Sequence, residues 1–156
     1  MSKFSVLFVC LGNICRSPLA EAAFRLEAER LGLAVEVDSA GTGGWHQGDP
    51  PDPRARAVAR RNGVDIGGYR ARQVREDDFV RFTHIVAMDG DNLANLDRLR
   101  PPGAKAELSL MLAHAGRPGA PVEDPYYGGD DGFDVTWADV HAAARGLAQA
   151  LRDGGA

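Results

Sequence analysis

The run "SVLFVC" at residues 5–10 ends in a cysteine and passes directly into "LGNICRSPL". An unbroken apolar stretch from Val6 to Leu11 has the length and character of a strand covered on both faces, the situation of strands in parallel sheets. It falls far short of the roughly 20 residues that cross a bilayer. Helix signals follow at once. Ser17 reads as the N-cap, Pro18 as the first helical residue and Glu21 as a carboxylate complementing the positive helix end, while Leu19, Ala22, Ala23 and Leu26 form one apolar face. A doubly covered strand, a tight loop and a helix start restrict the chain to folds in which helices pack on both sides of a sheet.

The rest of the chain repeats the alternation. "LAVEVDSAG" reads as a second strand ending in a glycine-rich loop, and a helix is expected from about Arg54 to Arg61, stopped by Asn62-Gly63. "REDDFVRF" suggests a short helix, "THIVAM" a third strand, "NLANLDRLR" a helix ended by Pro101-Pro102, and "AKAELSL" a short fourth strand. The Gly/Pro-rich segment "GRPGAPVEDPYYGGDDG" precedes a last helix expected from about Thr136 to Arg152. The predicted fold is therefore α/β: a doubly wound four-stranded parallel sheet with helices on both faces, in one domain over residues 1–156. Ligands of such folds bind beyond the carboxyl ends of the strands, where the loop after Cys10 lies.

That loop has the makings of an anion site. Between a strand end and a helix start, the backbone N–H groups of Leu11, Gly12, Asn13, Ile14 and Cys15 can converge on one point, with the helix dipole adding positive potential. Gly12 is free to adopt backbone angles closed to other residues, and Asn13 tolerates a left-handed conformation. The Gly-x-x-x-x-Gly-Lys-Ser/Thr pattern of nucleotide-phosphate loops is absent. Arg16 instead offers a planar fork able to hold two phosphate oxygens. At the other end of the loop, dipole, amides and guanidinium all favour a thiolate on Cys10. A thiolate beneath a bound phosphate is a nucleophile aimed at phosphorus, and Ser17 can donate a hydrogen bond to its sulfur.

"VCLGNICRSPLAEA" resembles the phosphate-binding signature of the low-molecular-weight protein tyrosine phosphatases, bacterial forms included: Cys-x5-Arg-Ser with a second cysteine before the arginine. The resemblance continues, in the family's order, through "DSAGTGGWHQG", "PDPRA", "ARQ", "DDFVRFTHIVAMD" and "DPYY", and so spans nearly the whole chain. It implies hydrolysis of phosphotyrosine and small aryl phosphates through a cysteinyl-phosphate, with Cys10 as nucleophile, Arg16 as phosphate ligand and Asp124 as general acid and later base. It implies aromatic walls for the substrate ring at Trp45, Tyr126 and Tyr127. It also implies that Cys15 resolves an oxidised Cys10 as a disulfide, and that Asn13 and Ser39 brace the loop. A histidine often completes that brace, and Tyr69 stands in its place here. Arg54 and Arg72 match family positions expected to pair with acidic side chains.

Composition excludes several other classes. A net charge of −4 with no dense Lys/Arg run argues against nucleic acid. His46, His84, His114 and His141 are scattered singly, and two cysteines alone do not close a metal site, so neither metal nor other cofactor is expected. Asp130, Asp131 and Asp134 read as a solvated turn rather than a calcium loop, which would end in glutamate. With no secretion-type leader and no membrane segment, the expectation is a cytoplasmic monomer whose partner is a phosphotyrosine-containing protein, tyrosine kinases among the candidates. Two rival readings share the loop. A thioredoxin-coupled arsenate reductase needs relay cysteines outside the loop, and a non-catalytic phosphotyrosine-binding module would lack the nucleophile or the acid.

Overall fold

Strand β1 (Phe4–Cys10) is buried at every position from Ser5 to Cys10 in the computed structural model, which describes residues 3–129 and 131–154. Its side chains alternate between two cores, as the period of a strand requires. Val6, Phe8 and Cys10 face one, with Leu19 and Phe24 of α1 (Arg16–Leu31) and Phe133, Val140 and Leu147 of α5 (Asp131–Arg152). Leu7 and Val9 face the other, with Phe79 of α3 (Asp78–Arg81) and Leu96 of α4 (Gly90–Leu99). Helices α1, α2 (Pro53–Arg61) and α5 pack against one another over the first core. The apolar run is continuous because both faces are covered.

Strand β1 pairs in parallel with β2 (Val35–Gly41) and β3 (His84–Ala87), and β3 pairs with β4 (Glu107–Leu110), giving the order β2-β1-β3-β4. The register sets Cys10 opposite Gly41 and Val9 opposite Ala87. Three strand ends thus deliver their loops to one edge of the sheet. The doubly wound four-stranded parallel sheet is as expected from the sequence. No helix among the described residues is long and apolar enough to cross a membrane.

Two helix starts differ from expectation. Helix α1 begins at Arg16, with Cys15 at the cap position and no side-chain cap, so Ser17 is the second helical residue rather than the cap. Pro18 sits third, still in the first turn, where its missing N–H costs nothing. Glu21 lies a turn further in and is buried, accepting hydrogen bonds from Ser39 Oγ (2.7 Å) and Arg25 Nε (2.9 Å), so it does not complement the helix end. Helix α5 begins at Asp131, five residues before Thr136, with Asp131 and Asp134 in its first turn, where carboxylates favour the helix dipole. Of the predicted acidic turn, Asp131 and Asp134 are therefore helical, and Asp130 lies outside the described residues. A 3-10 segment at Met111–Ala115, not foreseen, leads out of β4.

Helix α5 crosses the 3-10 segment so closely that a Cβ on Gly146 would lie 2.0 Å from the carbonyl oxygen of His114. Alanine normally favours a helix interior by about 1 kcal/mol over glycine. Here the backbone clash reverses the sign: Gly146→Ala should destabilise the protein by about 2 kcal/mol, read as a fall of about 5 °C in Tm in thermal unfolding.

Candidate active site

The loop from Leu11 to Cys15 curls at the carboxyl edge of the sheet beside a cleft of about 310 Å³. Cys10, Leu11, Gly12, Ile14, Cys15 and Arg16 form its floor, and Trp45, Asp124, Tyr126 and Tyr127 its walls. Most of the predicted site residues are therefore brought together, from positions as far apart as 10 and 127. Asn13, Ser17 and Ser39 do not line the cleft. They are buried behind the loop, where the Asn13 side chain joins Ser39 and Ser17 lies against Cys10 Sγ, the arrangement expected of all three.

Asn13 holds the loop's turn at φ 59°, the left-handed conformation expected of it. Gly12, by contrast, does not adopt a positive φ. Its missing side chain serves an approach instead, because a Cβ there would sit 3.1 Å from His46 Cδ2. Among the described residues, the backbone N–H groups of Leu11, Gly12, Ile14, Cys15 and Arg16 find no acceptor, while that of Asn13 points at Cys10 Sγ (3.3 Å). Buried N–H groups are normally paired. A run of them leading into a helix N-terminus is suited to a tetrahedral oxyanion.

The bonds behind the loop have a fixed direction. Arg72 N–H donates to Asn13 Oδ1 (3.0 Å), which leaves Asn13 Nδ2 to donate to Ser17 Oγ (2.8 Å) and Ser39 Oγ (3.0 Å). Each hydroxyl then has its own proton to give elsewhere. Ser39 gives it to Glu21, while the Ser17 hydroxyl has two acceptors, Cys10 Sγ at 3.0 Å and the Ala40 carbonyl at 3.4 Å, the sulfur being the nearer. Tyr69 takes no part in the chain of bonds through Asn13. It packs against the core beside Glu21 and Arg25, and burial, then the Glu21 charge, push its phenol up to about 12. Glu21 and the Arg72 amide thus close that chain of bonds at its two ends. Arg72 itself pairs with Asp38 (3.1 Å) and Asp78 (3.0 Å), and Arg54 with Asp52 (3.0 Å), as expected.

The two cysteines are free and buried, but their surroundings differ. Burial raises the pKa of the Cys15 thiol far above its ordinary range, with the charges of Asp52, Cys10 and Asp124 adding and Arg54 opposing. Cys15 therefore stays protonated at neutral pH and is a poor nucleophile. The side chain of Arg16 is anchored by Asp89 Oδ2 (2.6 Å) and the Val122 carbonyl (3.0 Å), both on the same Nη1. Burial works against its charge, yet the Cys10 and Asp89 charges outweigh it, so the guanidinium stays protonated. Its Nη2 lies 3.7 Å from Asp124 Oδ2.

Asp89 and His46 were not singled out from the sequence. Asp89 caps α4 by accepting the Asn92 N–H (2.8 Å) and holds Arg16 with its other oxygen. Its signal was present: a capping residue at the carboxyl end of a central parallel strand faces the ligand edge. His46, read as a surface or packing residue, lines the cleft mouth, with Nδ1 3.3 Å from Asp49 Oδ2. Around it the rim is aromatic and open, with Trp45 74 % and Tyr127 91 % exposed. The Tyr126 and Tyr127 rings meet edge to face, 4.9 Å between centroids.

Fold and site together define an anion-binding α/β protein with a thiol on the floor of its cradle and a carboxylic acid at its wall. The profile of the family described as "Low molecular weight phosphotyrosine protein phosphatase" matches residues 5–155, and the chain belongs to that family. It is 50 % identical over 136 residues to the low molecular weight phosphotyrosine protein phosphatase of Schizosaccharomyces pombe, covering 84 % of this chain and 86 % of that protein. It is 46 % identical over 156 residues to the low molecular weight protein-tyrosine-phosphatase of Streptomyces coelicolor, covering 96 % and 94 %. Its structure is similar to a crystal structure of a protein tyrosine phosphatase from Entamoeba histolytica, with a TM-score of 0.92 at 36 % identity over 97 % of this chain and 99 % of that one.

Proposed function

We propose that the chain hydrolyses phosphotyrosine in proteins, and small aryl phosphates, through a cysteinyl-phosphate intermediate. The observation that carries this reading is the run of loop amides from Leu11 to Arg16, five of them without an acceptor among the described residues and the sixth, that of Asn13, 3.3 Å from Cys10 Sγ, with Arg16 anchored by Asp89. The phosphate sits against that run, with Arg16 contributing the N–H groups not taken up by Asp89 and Val122. The Cys10 thiolate attacks phosphorus as the ester oxygen leaves, and the Asp124 carboxyl gives that oxygen its proton. Asp124, now a carboxylate, takes a proton from water as the water attacks the cysteinyl-phosphate. Inorganic phosphate leaves and the thiolate returns, stabilised by the Ser17 hydroxyl.

An aromatic rim over a deep floor favours the aryl stem of phosphotyrosine over the short stem of phosphoserine. The test is phosphate release from phosphotyrosine and phosphoserine peptides with excess chelator present. Turnover of the phosphotyrosine peptide alone is expected. An inactive protein, or activity that requires a divalent metal, would overturn the reading. The rival arsenate reductase relay has no further cysteines to use, since both lie in the loop.

Cys15 belongs to the same reading as a redox guard. Peroxide oxidises Cys10 to the sulfenic acid and is itself reduced to water. The Cys15 thiol then attacks the Cys10 sulfur, its proton leaving with the displaced hydroxide as water, to form a disulfide, which a thiol reductant reopens. Cys15→Ser should retain most of its turnover, yet recover little activity after peroxide followed by dithiothreitol, under conditions in which wild type recovers most of it. Equal recovery in the two proteins would remove Cys15 from this role.

A further inference from the structure

Asp124 stands on a loop with few bonds of its own. Its Oδ1 accepts the Tyr126 N–H (3.1 Å), and the Gly128 N–H donates to the Pro125 carbonyl (3.1 Å). What ties this turn to the rest of the site is Arg54. Its Nη2 donates to the Tyr126 carbonyl (2.9 Å) and its Nη1 to the Gly128 carbonyl (3.1 Å). The guanidinium lies over the Phe133 ring, 4.6 Å from its centroid, and 5.7 Å from that of Tyr126.

The other side of the same guanidinium is held by Asp52. Arg54 Nε donates to Asp52 Oδ1 (3.1 Å) and Nη2 to Oδ2 (3.0 Å). Burial alone would raise the pKa of the Asp52 carboxyl, but the bonds from Arg54 hold it below its usual range, so the pair is ionic. Asp52 in turn donates its backbone N–H to the carbonyl of Ile14 (2.9 Å), inside the anion loop. An unbroken line of bonds therefore runs from the cradle through Ile14, Asp52 and Arg54 to the turn that carries Asp124. Only a planar fork can take a carboxylate and two carbonyls at once; an ammonium cannot.

We infer that Arg54 is a positioning residue, which sets the Asp124 carboxyl over the cradle and so governs proton delivery to the leaving group. This rests on the phosphatase reading above. Proton donation matters most when the leaving oxygen is basic, so the loss must depend on the leaving group. Arg54→Met keeps the aliphatic stem and removes the fork. It should lower kcat for phenyl phosphate roughly tenfold, a part of the 10²–10⁴ that a positioned acid supplies. It should change the rate of the nitrophenol burst from nitrophenyl phosphate and the Ki of inorganic phosphate by no more than about twofold, because neither needs a proton from Asp124.

The double variant separates positioning from general support. If Arg54 acts through Asp124, Arg54→Met in an Asp124→Ala background costs nothing further; losses that multiply would overturn the inference. Equal losses with both leaving groups, or none with phenyl phosphate, would also overturn it while leaving the phosphatase reading intact. Wild type that hydrolyses no aryl phosphate would remove that reading itself. Should Arg54→Met fail to fold, Arg54→Lys, which keeps the charge beside Asp52, should show the same leaving-group dependence in smaller measure, and its absence would count against Arg54.

Discussion

Cys10→Ser is expected to abolish phosphate-ester hydrolysis while leaving the fold and the anion cradle in place. The substitution exchanges one atom at the end of β1, in a side chain that is 3 % exposed and already beside a hydroxyl, Ser17 Oγ, at 3.0 Å. Nothing about that packing should suffer. The chemistry should, because a serine hydroxyl keeps its proton at neutral pH and, among the described residues, its hydrogen-bond neighbours are the Ser17 hydroxyl and the Asn13 backbone N–H, neither of which is a general base. A loss of about 10⁴-fold or more in kcat is expected, the scale seen when an enzyme loses its nucleophile. Phosphate affinity, measured by calorimetry, should change little, because the loop amides and Arg16 are retained. Full activity in Cys10→Ser would end the covalent mechanism.

Asp124→Ala should give the second largest effect, and its signature is selectivity between leaving groups. Asp124 is partly exposed at the cleft wall, and its Oδ2 lies 3.7 Å from Arg16 Nη2, so its removal opens no core and leaves Arg16 anchored by Asp89 and Val122. With phosphotyrosine, whose leaving phenol has a high pKa, kcat should fall by about 10²–10⁴. With nitrophenyl phosphate the leaving phenolate is stable without a proton, and the fall should be roughly tenfold or less. Burst kinetics with nitrophenyl phosphate provide the second readout, since Asp124 also activates water. If the cysteinyl-phosphate accumulates, a burst of nitrophenol should precede slow turnover. Equal losses for the two substrates would assign the acid elsewhere.

The floor of this site was legible in the sequence because its parts are local in the chain, whereas Trp45, Asp124, Tyr126 and Tyr127 were reached only through the resemblance to a family. Cys10 and Arg16 are bound to one loop by their spacing, and the strand before them is marked by its unbroken apolar run. What escaped depends on distant pieces of chain. Asp89 meets Arg16 only because β3 lies beside β1 in parallel register, and His46 meets Gly12 only because the loop after β2 folds back over the cradle. Ser17 was misread as a cap for a related reason. Its propensity near Pro18 favours a helix start, but the loop curls so tightly that helical geometry begins at Arg16, and the hydroxyl is claimed by Asn13 and Cys10 instead. The early start of α5 was hidden by glycines that usually mark a loop. Tyr69 was recognised as a departure, but nothing in one sequence reveals that Glu21 and a backbone amide close the network without it.

The placing of thiol and acid has a consequence for a chain still being made. Cys10 emerges near the beginning and Asp124 appears 114 positions later, while the helix that covers α1 is the last element of all. At translation speeds of about 5–20 residues per second, roughly 6–23 s separate the two residues. During that interval a nascent chain carries the Cys10 thiol without the carboxyl proposed to serve it, and without α5 to cover α1. Under the proposed mechanism, full turnover of phosphotyrosine is therefore expected only once Asp124 and α5 have joined the cradle. In refolding experiments the return of turnover should mark the docking of α5 and the acid loop rather than the formation of the sheet.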